Sequence, residues 1–110
     1  MEINKTTIDQ VIVFEVSGRI DANTAKDFEN ALTQSIEEGA TKMIVDLTNA
    51  DYISSSGLRV FLLIAKKLDK NGYIYLCSLQ PQVSQIFNIS GFNNIFSIFE
   101  NKDAALDNAK

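Results

Sequence analysis

No histidine occurs among the 110 residues, and cysteine and proline appear once each. Without imidazole and with one thiol, the usual nitrogen-and-sulfur metal sites cannot be assembled within the chain. The same shortage excludes a Ser-His-Asp or Cys-His nucleophile device. The lone Cys77 cannot form an internal disulfide, which fits a reducing cytosol and a cytoplasmic protein. Positive charge is also scarce: ten Lys and Arg stand against fourteen Asp and Glu, a net charge of -4. A nucleic-acid module would need a basic face to neutralise phosphates, so direct nucleic-acid binding is not expected. No apolar run approaches the roughly 18–20 residues that cross a bilayer. The start, Met1-Glu2-Ile3-Asn4-Lys5, has neither the basic region nor the apolar segment of a secretory signal. A glycine-rich phosphate loop with its lysine is missing too. These absences point away from catalysis, metals, cofactors and membranes, and towards a protein that acts by binding.

What is present is the composition of an ordinary globular domain, 45% apolar and 22% charged. Its length suits one domain over residues 1–110. The stretch Asp51-Tyr52-Ile53-Ser54-Ser55-Ser56-Gly57-Leu58 organises the rest. Before it, Lys42 to Leu47 is an apolar run that reads as a central parallel strand, buried on both faces. After it, residues 58–71 have helical periodicity. Three serines and a glycine therefore stand where a strand hands over to a helix, a position where serine caps orphan backbone N–H groups. In α/β folds that position also lies at the carboxyl end of the strands, where binding sites gather.

The remaining elements follow from pattern. Ile3 to Ile8 and Val11 to Ser17 are strands whose two-residue connection, Asp9-Gln10, predicts an antiparallel hairpin, although this is not the pair such turns favour. Gly18-Arg19-Ile20-Asp21 breaks the pattern, and a helix is expected to start with a cap near Asp21 to Asn23. Phe28, Ala31, Leu32 and Ile36 give that helix one apolar stripe, and Gly39 ends it. In the helix after the serines, Leu58, Phe61, Leu62, Ala65 and Leu68 form the expected buried stripe. Arg59, Leu63, Lys66 and Lys70 form another, in which Leu63 faces solvent or a partner. A strand from Tyr73 to Ser78, a short helix from Pro81, a strand from Ile95 to Phe99 and a terminal helix from Lys102 complete the chain. The predicted class is α/β, with a central sheet covered by helices.

The serine stretch resembles the signature of the anti-sigma-factor antagonists, the STAS domain family. Ser17-Gly18-Arg19-Ile20-Asp21 and Phe87-Asn88-Ile89-Ser90-Gly91-Phe92 extend the resemblance over essentially the whole chain. It implies the STAS fold, a mixed, mostly parallel sheet of four to five strands under about four helices. It also implies a partner switch. The unphosphorylated domain binds an anti-sigma factor that is also a serine kinase, freeing a sigma factor; phosphorylation breaks the complex and a serine phosphatase restores it.

Carried onto this sequence, the phosphoacceptor is Ser55. Ser54, standing where many relatives have aspartate, and Ser56 are the neighbouring alternatives. Asp21 matches a residue that lies near the acceptor and contacts the partner in relatives. Ser54, Ser56, Gly57, Arg59 and Leu63 are the other expected partner-binding residues, and the isolated domain is expected to be a monomer. The rival reading is a STAS-type interaction module in a transporter accessory complex or signalling scaffold, with no phospho-switch. An enzyme is disfavoured: Ile53 occupies the place of the first glycine of a Gly-x-Ser-x-Gly elbow, and no histidine can act as base.

Overall fold

Two short strand-forming runs in the first twenty positions make a hairpin, and the computed structural model, which describes residues 1–109, lays the rest of the chain beside it. Strand β1 (Glu2–Ile8) pairs antiparallel with β2 (Val11–Ile20). Asp9 and Gln10 both take left-handed backbone conformations, with φ of 48° and 71°. That is what a two-residue hairpin requires, here met without glycine or asparagine. The chain continues through α1 (Ala25–Glu37), β3 (Lys42–Ile53), α2 (Ser55–Leu68), β4 (Tyr73–Cys77), α3 (Pro81–Ser90), β5 (Ser97–Phe99) and α4 (Lys102–Asn108). The five strands form one sheet whose spatial order is the chain order, and every pair after the hairpin is parallel. The described residues thus form the expected α/β architecture of five strands and four helices.

The sheet is covered unequally. On one face Met43, Val45 and Leu47 of β3 join Phe28 and Leu32 of α1, Phe61 and Ile64 of α2, and Val83 and Phe87 of α3 in the main core. Phe61 is its hub, meeting Phe28, Phe87 and Phe96 edge-on at centroid distances of 5.3, 5.9 and 5.9 Å. On the other face Val11, Val13, Ile44 and Cys77 pack beneath Ala105 of α4. Cys77 is a buried core residue, and burial pushes its thiol up to about 11.

Several boundaries differ from the sequence reading, each for a physical reason. Strands β2 and β3 do not stop at Ser17 and Leu47; they run on together to Ile20 and Ile53. Gly18, with φ of 90°, sits at irregularities in the register and bends the strand where the pattern suggested a break. Helix α1 starts at Ala25, later than expected, because residues 21–24 form a separate turn. In α2, Val60 and Ile64 are buried while Leu62 is 37% exposed. That helix packs against α1 as well as the sheet, so its buried arc is wider and rotated from the five-residue stripe. Strand β5 begins at Ser97, because a 3-10 turn at Phe92–Asn94 leaves Ile95 exposed.

Candidate functional site

Where β2 and β3 end side by side, the backbone N–H of Ser54 donates to the carbonyl of Ile20 at 2.9 Å. Ser54 is extended, with φ of -97° and ψ of 176°, and is the N-cap of α2. Its carbonyl accepts from the Leu58 N–H at 2.9 Å, and its hydroxyl accepts from the Gly57 N–H at 3.4 Å. The Leu58 bond is the first of the helix, and the Gly57 bond satisfies one of the donors that a helix start leaves without an intrahelical partner.

Gly57 explains how the helix can begin so close to the strands. A Cβ there would lie 2.8 Å from side-chain carbons of Ile20 and Ile53 and 2.9 Å from the Ile20 carbonyl oxygen. Gly57 is buried. Gly57, expected among the partner-binding residues, is thus placed as a packing residue that seats α2 on the sheet.

The three serines are left with different tasks. Ser54 is half-buried and its hydroxyl caps the helix. Ser55 is the first residue of α2 and exposed, and its hydroxyl has no hydrogen-bond partner among the described residues. Ser56 is half-buried and lines a groove of about 240 Å³ between α1 and α2. The groove is bounded by Ala22, Lys26 and Glu29 on the α1 side and by Ser56, Arg59 and Leu63 on α2. Arg59 and Leu63 thus share a surface with Ser56, and Leu63 is 37% exposed.

Asp21 follows Ile20, whose carbonyl binds Ser54, so it stands beside the serine turn without lining the groove. It does not cap α1 as expected. Its carboxylate accepts from the Asn23 N–H at 3.0 Å and from Arg19 Nε at 3.4 Å, and its carbonyl accepts from the N–H groups of Thr24 and Ala25. The Thr24 hydroxyl turns back, accepting from the Asp21 N–H and donating to the Arg19 carbonyl. Asp21 therefore builds the turn that leads into α1. The Asn23 N–H holds its carboxyl below the usual carboxylate range, with Arg19 and the Thr24 backbone adding to the effect against some desolvation.

Arg19 is a member of this site that sequence reasoning did not single out. Its guanidinium lies over the Tyr52 ring, 4.2 Å from the centroid. The signal was the Arg19–Tyr52 pairing, visible only once both strands are extended past their apolar runs. Among the described residues no cluster of His, Cys, Asp or Glu could hold a metal ion, and no helix is long and apolar enough to cross a membrane.

An uncommitted hydroxyl on a helix start, beside a groove that carries an arginine and an exposed leucine, is suited to recognition and modification. Comparison with known proteins identifies the family. The STAS domain family profile matches residues 2–105. BtrV of Bordetella bronchiseptica, a candidate anti-sigma factor antagonist, is 37% identical over 106 residues, covering 96% of this chain and 91% of its own. The anti-sigma-B factor antagonist of Staphylococcus aureus is 28% identical, covering 91% and 94%. In fold, the chain is similar to the Bacillus anti-sigma factor antagonist SpoIIAA. The unphosphorylated form matches with a TM-score of 0.84 at 20% identity, covering 97% of this chain and 95% of that one. The phosphorylated form matches with a TM-score of 0.75 at 19% identity, covering 97% and 98%. The chain belongs to the STAS domain family, within its anti-sigma factor antagonists.

Proposed function

We propose that this chain is the phosphorylatable member of a cytoplasmic partner switch. Unmodified, it binds an anti-sigma factor with serine kinase activity, and a sigma factor is released. The kinase then transfers the γ-phosphoryl group of ATP to the Ser55 Oγ. An Oγ–P bond forms, the bond to the ADP oxygen breaks, and the hydroxyl proton passes to the kinase. A serine phosphatase hydrolyses the phosphoserine and resets the switch. The observation that carries this reading is the division of labour in the serine turn: the Ser54 hydroxyl is engaged as a cap, while that of Ser55 is exposed and free. Asp21, Ser54, Ser56, Arg59 and Leu63 form the docking surface around it.

The physics of the turn favours release without refolding. A phosphoserine brings about -1.5 to -2 charge at neutral pH. At a helix N-terminus this charge is tolerated by the free N–H groups and the helix dipole. A close-packed complex over the same turn must instead accommodate its bulk and desolvate its charge.

The test is phosphopeptide mass spectrometry after incubation with ATP, magnesium and the serine kinases encoded beside this gene, with binding measured in parallel. Phosphate on Ser55 together with loss of binding to the same kinase is the expected result. Phosphate on Ser54 or Ser56 keeps the switch and moves its site. No phosphate with any of the kinases overturns the switch in favour of a STAS module that binds without being modified.

A further inference from the structure

We propose that Arg59 is an internal receptor for phosphate on Ser55, so that modification withdraws a cation from the docking groove as well as adding negative charge. The inference rests on the reading of Ser55 as the modified residue.

The chain contains only two arginines, Arg19 and Arg59, within an acidic sequence, and both flank the serine turn. They are not in equivalent states. Arg19 is occupied, with Nε on the Asp21 carboxylate and its guanidinium over Tyr52. Arg59 is exposed and has no ion pair or side-chain hydrogen bond among the described residues.

Geometry directs Arg59 towards Ser55. Both belong to α2, at positions i and i+4. Residues so spaced share a helix face, with their Cβ atoms about 5–6 Å apart. Helical Cα–Cβ bonds tilt towards the N-terminus, so the arginine stem leans back over the turn that carries Ser55. The guanidinium fork remains charged and can grip two phosphate oxygens at once, which a lysine ammonium cannot. Across the groove stand Lys26, a competing cation, and Glu29, a competing carboxylate. Neither shares the helix with Ser55. The unmodified protein therefore offers Arg59 to an acidic group of its partner, and the phosphorylated protein consumes it internally.

The experiment installs phosphoserine at position 55 during translation, so no kinase is needed. Phosphorus NMR then follows the second ionisation in the otherwise unaltered protein and in Arg59→Gln, Arg59→Lys and Lys26→Gln variants. Capture favours the dianion, so the phosphate should titrate below its free value of about 6. In Arg59→Gln the value should rise by about 0.15–0.4 unit, the size of an i,i+4 ion pair. Arg59→Lys should fall between the two, and Lys26→Gln should leave the titration unchanged. The modified protein should also melt above the unmodified one, and Arg59→Gln should shrink that gain to the part owed to the helix terminus. An unchanged titration in Arg59→Gln overturns the proposal and leaves the phosphate to the helix terminus. A rise in Lys26→Gln as large as that in Arg59→Gln overturns the assignment to Arg59. A kinase that ignores Ser55 sinks the functional reading while the NMR result stands, and the converse also holds.

Discussion

Helices α1 and α2 both begin at the carboxyl end of the sheet, yet their first turns are held by different forces. The start of α2 is seated by packing: Gly57 lies against Ile20 and Ile53, and Ser54 needs only one hydroxyl bond to finish the cap. The start of α1 is held by polar groups, with Asp21 and Thr24 bonding around an exposed turn and no side-chain cap on the helix itself. An apolar seat leaves the surface hydroxyl of Ser55 without a structural duty. A polar turn commits its charged group. Of the two helix starts, the one at α2 therefore keeps a surface hydroxyl that no hydrogen bond commits, whereas the Thr24 hydroxyl at α1 is engaged.

Each half of the contrast can be broken by substitution. Gly57→Ala should have the largest effect, because a methyl at 2.8 Å from two isoleucines forces helix and sheet apart. A loss of about 1–3 kcal/mol is expected, typical of overpacking, measured by urea unfolding. A loss below that range would show that the seat is softer than its geometry implies. Ser54→Ala should cost less, about 0.5 kcal/mol, the low end for a lost N-cap, because the hydroxyl bond is long at 3.4 Å.

Asp21→Asn should act mainly through acid. The native carboxyl titrates below the ordinary aspartate value of 3.8, so its ionised form stabilises the fold. That contribution is present above 3.8 and disappears as pH falls through the native value. The variant should lose this part of the acid dependence in melting curves recorded at successive pH values. Unaltered acid dependence would remove the carboxylate from the account of the α1 turn. Ser55→Ala should have the smallest effect on stability, within about 0.5 kcal/mol by the same unfolding assay. Ser55→Asp should likewise retain the native far-UV circular dichroism; loss of helix would show that this hydroxyl does carry structural weight.

Much of the site was legible because its residues carry local chemistry. Serine at a strand-to-helix boundary caps, so the turn could be placed before any coordinates. Arg59 and Leu63 followed from helical spacing alone. What could not be read depends on partners distant in sequence. Polar Thr48, Asn49 and Asp51 hide the continuation of β3, although Ala50 and Ile53 remain buried between them. The Arg19–Tyr52 contact needs the register of two strands. The exposure of Leu62 depends on where α1 lies, which the periodicity of α2 does not contain. Gly57 looked like part of the signature surface, yet its burial follows from the continuation of both strands to Ile20 and Ile53.

The chain-order sheet has a consequence for biogenesis. Each strand lies beside the one synthesised just before it. Every parallel pairing therefore closes a loop no longer than one helix and its connections, which keeps the entropy of closure low and gives mixed α/β topology an intermediate folding speed. During synthesis the hairpin, α1 and β3 can associate as they emerge, and α2 then docks Gly57 on the two finished strand ends. The Phe61 hub must wait for Phe87 and Phe96, which come later in the chain. In chain order the serine turn thus precedes the phenylalanines that complete the core.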